Sequence, residues 1–247
     1  MKLQRPILAA IALSLLALPL AAQTSGNGFL FRKPVATLNL RGGFSHASAG
    51  SDIFSFSAEQ FTLGRGDFSG PTAAADLGIN LTQRLQLVLG TAYSATQTGS
   101  EYRDWVDNKR EPIEQTTTFA RAPVTASLKA YLAPTGRSVG KFAWVPSRYA
   151  PYVGAGGGGM WYRFKQAGDF FNSETFIVRS DNLESQGWTK TAHAFAGVDL
   201  SVSPRFAITT EARYDWGEAR LDDLVFEGFE PIDLSGLSAT VGIQVRL

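Results

Sequence analysis

The chain contains no cysteine, and that one absence excludes a disulfide framework, a thiol nucleophile and thiolate metal sites. Histidine is nearly missing too. Only His46 and His193 occur, so a multi-histidine metal centre is not expected and any catalytic imidazole must be one of these two. Charge of one sign is not in excess, with 23 Lys+Arg against 22 Asp+Glu in 247 residues, which argues against a nucleic-acid partner. No apolar run reaches the roughly 20 residues that a membrane-spanning helix needs, the longest being Ile7 to Leu20. A long amphipathic helical period is also lacking.

What is present is a composition of 44% apolar residues, 12% aromatics and 25 glycines, which suits short alternating strands joined by Gly-rich turns. The clearest example is the last stretch. From Leu237 to Leu247, apolar and polar residues alternate strictly: Leu237, Ala239, Val241, Ile243, Val245 and Leu247 on one side, Ser238, Thr240, Gly242, Gln244 and Arg246 on the other. A strand with one greasy and one wet face has this period, and in a closed membrane barrel the greasy face meets lipid.

At the other end, Lys2 and Arg5 precede the apolar run Ile7 to Leu20, and small residues follow at Ala21 and Ala22. This reads as a secretory signal peptide over 1–22, cleaved after Ala22, leaving 23–247 as one barrel domain. Its removal takes away two cations, so that 23 Lys+Arg become 21 against 22 Asp+Glu. No cysteine follows to carry lipid, so a lipoprotein is not expected.

Period two gives eight candidate strands, at roughly 34–46, 72–82, 84–96, 117–133, 149–164, 190–202, 205–217 and 234–247. The linkers after the second and sixth are tight, at Thr82–Arg84 and Ser201–Arg205. Those after the first, third, fifth and seventh (47–71, 97–116, 165–189 and 218–233) are long. Short turns at one end and long loops at the other are the asymmetry of an outer-membrane barrel, and an even strand count puts both termini in the periplasm. The linker 134–148 departs from this pattern, since parity makes it a short turn. The pieces Ile53-Phe-Ser-Phe56 and Thr175-Phe-Ile-Val178 read as weak strands that extend their neighbours or raise the count to ten.

Assigning the greasy parity outward sends Leu85, Leu87, Leu89, Thr91 and Tyr93 to lipid, with Phe206, Ile208, Thr210, Ala212, Tyr214 and Trp216. The aromatics Tyr93, Tyr149, Trp161, Tyr214 and Trp216 then fall near strand ends, where a membrane–water interface favours amphipathic rings. A soluble sandwich with these rings in its core is the competing reading. The inward parity collects Arg41, Asp76, Arg121, Lys129, Asp199, Glu211, Arg213, Asp215 and Arg246, mixed in sign, together with Asn80, Gln86 and Gln244. Eight strands enclose an interior that side chains just fill, so these charges are expected to cross-link into a polar plug rather than line a wide channel. A solvated surface stripe is the bland alternative.

The run Pro151-Tyr-Val-Gly-Ala-Gly156 resembles the fifth-strand signature of small OmpA-like and OmpW-like outer-membrane barrels. Ala196-Gly-Val-Asp-Leu-Ser-Val-Ser-Pro-Arg-Phe206 and Glu211-Ala-Arg-Tyr214 are similar to that family's penultimate hairpin. The ending Gly242-Ile-Gln-Val-Arg-Leu247 resembles its C-terminal assembly signal, with Gly242, Val245 and Leu247 at the signal positions, although the family commonly ends on an aromatic. The motifs cover about the last hundred residues. The resemblance implies an all-β, eight-stranded, up-and-down transmembrane barrel in the outer membrane of a Gram-negative-type bacterium. The barrel-assembly machinery and periplasmic chaperones serve such proteins during biogenesis, and lipid and lipopolysaccharide surround them. It implies no single function, and the family's peptidoglycan-binding domain is missing.

Three motifs carry little. Gly154-Ala-Gly-Gly-Gly-Gly159 satisfies G-x-G-x-x-G, yet Met160-Trp-Tyr-Arg-Phe164 continues as a strand where a dinucleotide site needs a helix, so no cofactor is expected. Arg65-Gly66-Asp67 reads as a glycine turn in a loop rather than a recognition tripeptide. A six–seven hairpin centred on Ser203 puts His193 opposite Arg213 and diagonal to Glu211. With a serine, that is the minimum for ester hydrolysis, but no local motif of lipid A deacylase barrels is present.

The leading expectation is therefore a monomeric, non-enzymatic outer-membrane barrel that contributes to envelope integrity, with small-molecule passage or binding through its loops and upper interior. The loop aromatics Phe54, Phe56, Phe61, Trp105, Phe170, Phe171, Trp188, Phe226 and Phe229 offer a hydrophobic mouth or a partner surface. The alternatives are an adhesin acting through those loops and a lipid A-modifying enzyme. No catalytic or metal-ligating set is assigned.

Overall fold

A computed structural model describes residues 28–107, 110–172 and 177–247, and the signal peptide expected over 1–22 lies outside these. Eight strands run in chain order, β1 Ala36–Ala47, β2 Gly70–Asn80, β3 Leu85–Val106, β4 Pro112–Tyr131, β5 Tyr149–Asn172, β6 Ile177–Ser201, β7 Phe206–Ala219 and β8 Gly236–Arg246. Each pairs antiparallel with its chain neighbours, and β8 pairs with β1 through Leu38↔Val245, Arg41↔Gly242 and Phe44↔Ala239. The sheet is thus a closed ring of eight with no free edge along its wall, which leaves its backbone groups paired. Three short strands lie outside the ring: a hairpin of Gly136–Val139 with Ala143–Pro146, and Ile232–Asp233 beside β7.

Two of the connections at one end are tight because a hydroxyl closes each. Thr82 Oγ1 accepts the N–H groups of Arg84 and Leu85 at 3.1 and 3.0 Å, and Ser203 Oγ accepts that of Phe206 at 3.0 Å. The other end is drawn out. β3–β4 and β5–β6 continue as paired hairpins well past the span of β1, β2, β7 and β8, so these four strands are longer than the period-two reading gave them.

Two local expectations are corrected. Ile53-Phe-Ser-Phe56 is not a strand but lies in helix α1, Asp52–Gln60. Ser57 donates to the Ile53 carbonyl at 2.7 Å, and Ile53, Phe54 and Ser57 form its buried face, a helical spacing that four residues alone cannot reveal. The long linker 134–148 is the hairpin just described. It folds against the N-terminal segment through the Leu30↔Trp144 bridge, whose backbone N–H and C=O groups exchange bonds of 2.8 Å.

Candidate functional site

The pleat decides which side chains enter the lumen. On β1, Thr37, Asn39, Arg41 and Ser45 are buried while Leu40 and Phe44 are exposed, and the same alternation carries Asp76, Lys129, Asp199 and Arg246 inward from their own strands. The polar residues then meet in levels along the barrel axis.

At the tight-turn end, buried Asp199 on β6 is a hub. Its Oδ2 accepts bonds from Tyr131 Oη at 2.7 Å, Gln244 Nε2 at 3.0 Å and Lys129 Nζ at 3.2 Å. Beside it, Gln86 donates to Thr37 and Asn80, both at 2.9 Å. Arg246 donates to Ser201 Oγ at 2.6 Å and to the carbonyls of Ser203 and Pro204 at 3.2 and 3.1 Å, so the last strand is tied to the β6–β7 turn.

Midway, Arg41 bridges two carboxylates from different strands, Asp76 on β2 and Glu211 on β7. Tyr152 Oη donates to Glu211 at 3.1 Å, and its ring lies 3.5 Å from the Lys129 ammonium, measured to the centroid. This cation–π contact links the mid-level to the Asp199 hub. Higher still, Arg213 Nε donates to Asp215 at 3.0 Å on the same strand. Arg121 donates to the Leu234 and Ser235 carbonyls at 2.7 and 3.0 Å and to Ser45 Oγ at 2.8 Å.

Above Arg121 the interior turns apolar. Phe54 of α1 is fully buried, its ring 4.6, 5.4 and 5.9 Å from those of Phe68, Phe119 and Phe164, and Phe226, Ile232 and Leu234 from the last loop complete the cluster. The loop aromatics expected from the sequence to form a mouth or a partner surface thus pack largely on one another, as Phe54, Phe61 and Phe226 do. Trp188 differs. It sits on β6 facing outward, in register with Trp161. In the first long loop Phe61 packs on Tyr102 at 4.6 Å, and burial lifts the Tyr102 hydroxyl above the usual tyrosine range.

The other mouth is also covered. Buried Trp144 of the 136–146 hairpin lies beneath the Arg246 guanidinium, 5.7 Å from ring centroid to Cζ, and the N-terminal segment crosses beside it. Between the two covers, the lumen cavities measure about 10, 10 and 30 Å³, room for one or two waters. The larger hollows, about 420 and 450 Å³, lie on the outward surface of the extended hairpins and of β6–β8.

His193 requires a correction. The β6–β7 turn centres on Pro204, not Ser203, so His193 faces Asp215 and it is Phe195 that faces Arg213. Moving the centre of a turn by one residue shifts each cross-strand partner by two, and the sequence does not disclose which residues the turn consumes. His193 Nε2 lies 2.7 Å from Ser127 Oγ, a partner that the sequence reading missed because it comes from β4, two strands away over Gly156 of β5. His193 Nδ1 has no hydrogen-bond partner. Gly154 and Gly156 on β5 make this packing possible, since a Cβ at Gly156 would press on Ser127 and one at Gly154 on the Phe195 ring. The glycine run therefore serves packing of the wall, with strand on both sides of it.

Tyr131, Tyr152 and Ser127 were not singled out in the sequence, although each lies on the inward parity of its strand. The remaining marked residues sit on the outer face: Tyr93, Tyr149 and Trp216 are exposed, while Trp161 and Tyr214 are half-buried among neighbours. Gly242 and Val245 lie on β8, paired with Arg41 and Leu38, and Leu247 follows it, its N–H bonded to the Ala36 carbonyl at 2.9 Å. Arg65–Phe68 forms a 3-10 turn in which Asp67 accepts the Gly64 N–H at 2.8 Å.

No family model matches the chain, and no curated protein matches it. Among solved structures, it is similar to the outer membrane protein OprG from Pseudomonas aeruginosa, at 11% identity and a TM-score of 0.45, over 88% of this chain and 99% of that one. It is similar to Neisserial surface protein A at 12% identity and TM-score 0.42, over 86% and 97%. A third is Ail, the attachment invasion locus protein of Yersinia pestis, at 12% identity and TM-score 0.42, over 86% and 99%.

Proposed function

We propose that this protein is a non-enzymatic barrel of the outer membrane of a Gram-negative-type bacterium, a closed anchor that contributes to envelope integrity. The observation that carries this reading is the inversion of its wall. Arg41, Asp76, Lys129 and Asp199 are buried inside the ring, while Leu40, Leu77, Leu89, Val124, Leu128 and Ile243 are exposed around it. A soluble monomer rarely exposes an apolar patch beyond a few hundred Å², whereas lipid requires an apolar belt on a closed sheet. Tyr93, Tyr149, Trp161, Tyr214 and Trp216 act as interface aromatics on this reading. Gly242, Val245 and Leu247 serve as the signal for the barrel-assembly machinery, after export by the cleaved peptide 1–22 and escort by periplasmic chaperones. The protein works as a monomer in contact with lipid and lipopolysaccharide.

Lumen cavities of about 10 to 30 Å³ speak for an anchor and against small-molecule passage. The Ser127–His193 pair speaks against an enzyme. It is buried in the lumen, away from any lipid, and no carboxylate holds His193 Nδ1, so the orienting member of a hydrolytic triad is missing. The test is gel migration of the refolded protein with and without boiling, followed by fractionation of envelopes. A heat-shifted band in the outer-membrane fraction is expected; a water-soluble, unshifted species overturns the reading.

A second reading, binding of an external surface, is favoured by the two hairpins that stand beyond the ring, with Trp105 stacked on Phe171 at 4.3 Å between them. It predicts that trimming 50–70 and 166–188 abolishes adhesion while the heat-shifted band persists. Unchanged adhesion rejects it.

A further inference from the structure

The two ends of the barrel differ in charge in a way that its function as an anchor does not require. Every connection at the tight-turn end contributes cations: Arg32 and Lys33 before β1, Arg84 in the β2–β3 turn, Arg137, Lys141 and Arg148 between β4 and β5, and Arg205 in the β6–β7 turn. Among the described residues no Asp or Glu lies in these segments, and the nearest acidic side chain, Asp199, is buried and taken by Lys129, Tyr131 and Gln244. All exposed Asp and Glu side chains of the described residues lie at the long-loop end. The cations of this rim, unlike Arg41 or Arg213 in the lumen, have no ion pair among the described contacts.

Each of these connections also carries an exposed apolar residue within five positions of a cation. Val35 follows Lys33, Leu81 precedes Arg84, Leu132 opens the linker that holds Arg137, Tyr149 follows Arg148, and Val202 and Phe206 flank Arg205. The hairpin tip repeats the pattern with Lys141 next to Phe142, which is 72% exposed. Apolar and aromatic side chains alternating with cations suit the level where acyl chains give way to phosphates. A hydrated anionic glycan would match the cations but leave this apolar half of the rim in water.

We infer that the tight-turn rim is a docking surface for anionic phospholipid headgroups of the leaflet at that end, so that the barrel gathers acidic lipid around its base. The inference rests on the membrane reading above. Because the cations encircle the rim rather than meet in one pocket, the surface selects headgroup charge and not a particular headgroup shape. A basic residue near an anionic surface favours binding about fivefold at moderate salt, and the effect is screened as salt rises.

The test places the refolded protein in nanodiscs of mixed phosphatidylethanolamine and phosphatidylglycerol, extracts it gently and identifies the retained lipids by native mass spectrometry. Enrichment of phosphatidylglycerol over its share in the disc by about fivefold or more is expected, falling with added salt. The combined variant Arg84→Gln, Arg137→Gln, Lys141→Gln, Arg148→Gln loses this enrichment, while Arg179→Gln, Lys190→Gln, Arg220→Gln at the other end keeps it. No enrichment in the unaltered protein, equal enrichment in both variants, or capture of purified cell-wall glycan in place of the lipid each overturns the inference. Heat-shifted migration is read on the same samples. A protein that never enters the nanodisc defeats the membrane reading, whereas entry without lipid preference defeats this inference alone.

Discussion

Arg41 on β1 and Glu211 on β7 form an ion pair across the barrel interior although β8 lies between their strands in the wall. Asp76 takes the other side of the same guanidinium, so one cation neutralises two buried carboxylates. The arrangement makes Arg41 costlier to lose than either acid, because its removal leaves two charges unpaired in a site with almost no water.

For Arg41→Ala the expected destabilisation is therefore about 3–5 kcal/mol, larger than for Asp76→Asn. Urea unfolding in lipid vesicles, followed by loss of the heat-shifted band, measures both. An Arg41→Ala protein as stable as the unaltered one contradicts the central role of this pair.

In planar bilayers the unaltered protein is expected to be silent. The polar levels, the Phe54 cluster and the Trp144 cover each close the lumen separately, so Glu211→Ala alone leaves it closed. Discrete conductance steps from the unaltered protein refute the sealed lumen.

Leu89 lies on the outward face of β3, exposed, with Leu77 and Ala126 as its register neighbours. Leu89→Arg is expected to cost about 2–4 kcal/mol in lipid, the cost of a cation in the apolar belt. Thr116→Arg, on the extended part of β4, is expected to change stability little. Equal effects at the two positions disagree with a lipid-facing wall, and the comparison uses the same vesicle unfolding assay.

Loss of the imidazole in His193→Ala leaves Ser127 Oγ in the lumen without its partner and opens a small cavity, for an expected destabilisation of about 1–3 kcal/mol. Lipid A mass profiles of membranes with and without this substitution are expected to coincide. A profile that changes with His193 revives lipid-modifying chemistry.

Phe54→Ala removes the ring at the centre of the long-loop cluster, with an expected local loss of about 3–5 kcal/mol. Limited proteolysis in the 47–71 segment is expected to accelerate while the heat-shifted band survives, since the wall pairings do not involve α1. Unchanged cleavage indicates that the loops are held by something other than this cluster.

The polar levels were legible from the sequence because strand period two is local: once Leu237 to Leu247 fixes which parity is greasy, Arg246 and Gln244 must point the other way. The same logic carried to Arg41, Asp76, Lys129 and Asp199. Partners were not legible. Asp199 with Lys129 and Ser127 with His193 join strands separated by dozens of residues, and a shift of one residue in the β6–β7 turn moved His193 from Arg213 to Asp215. Segments too short to show a period were misread as well, as with Ile53-Phe-Ser-Phe56, where the helix is held by burial against Phe119 and Phe164.

By itself the sequence determined the class of fold, the faces of the strands and the asymmetry of the connections, because alternation and turn composition act over a few residues. Only the tertiary structure decided that the barrel is shut at both mouths. Closure depends on where α1 and the 136–146 hairpin settle once the ring has formed, and that is fixed by contacts between Phe54 and Phe119 or Trp144 and Leu30, whose distance along the chain hides them from any local pattern.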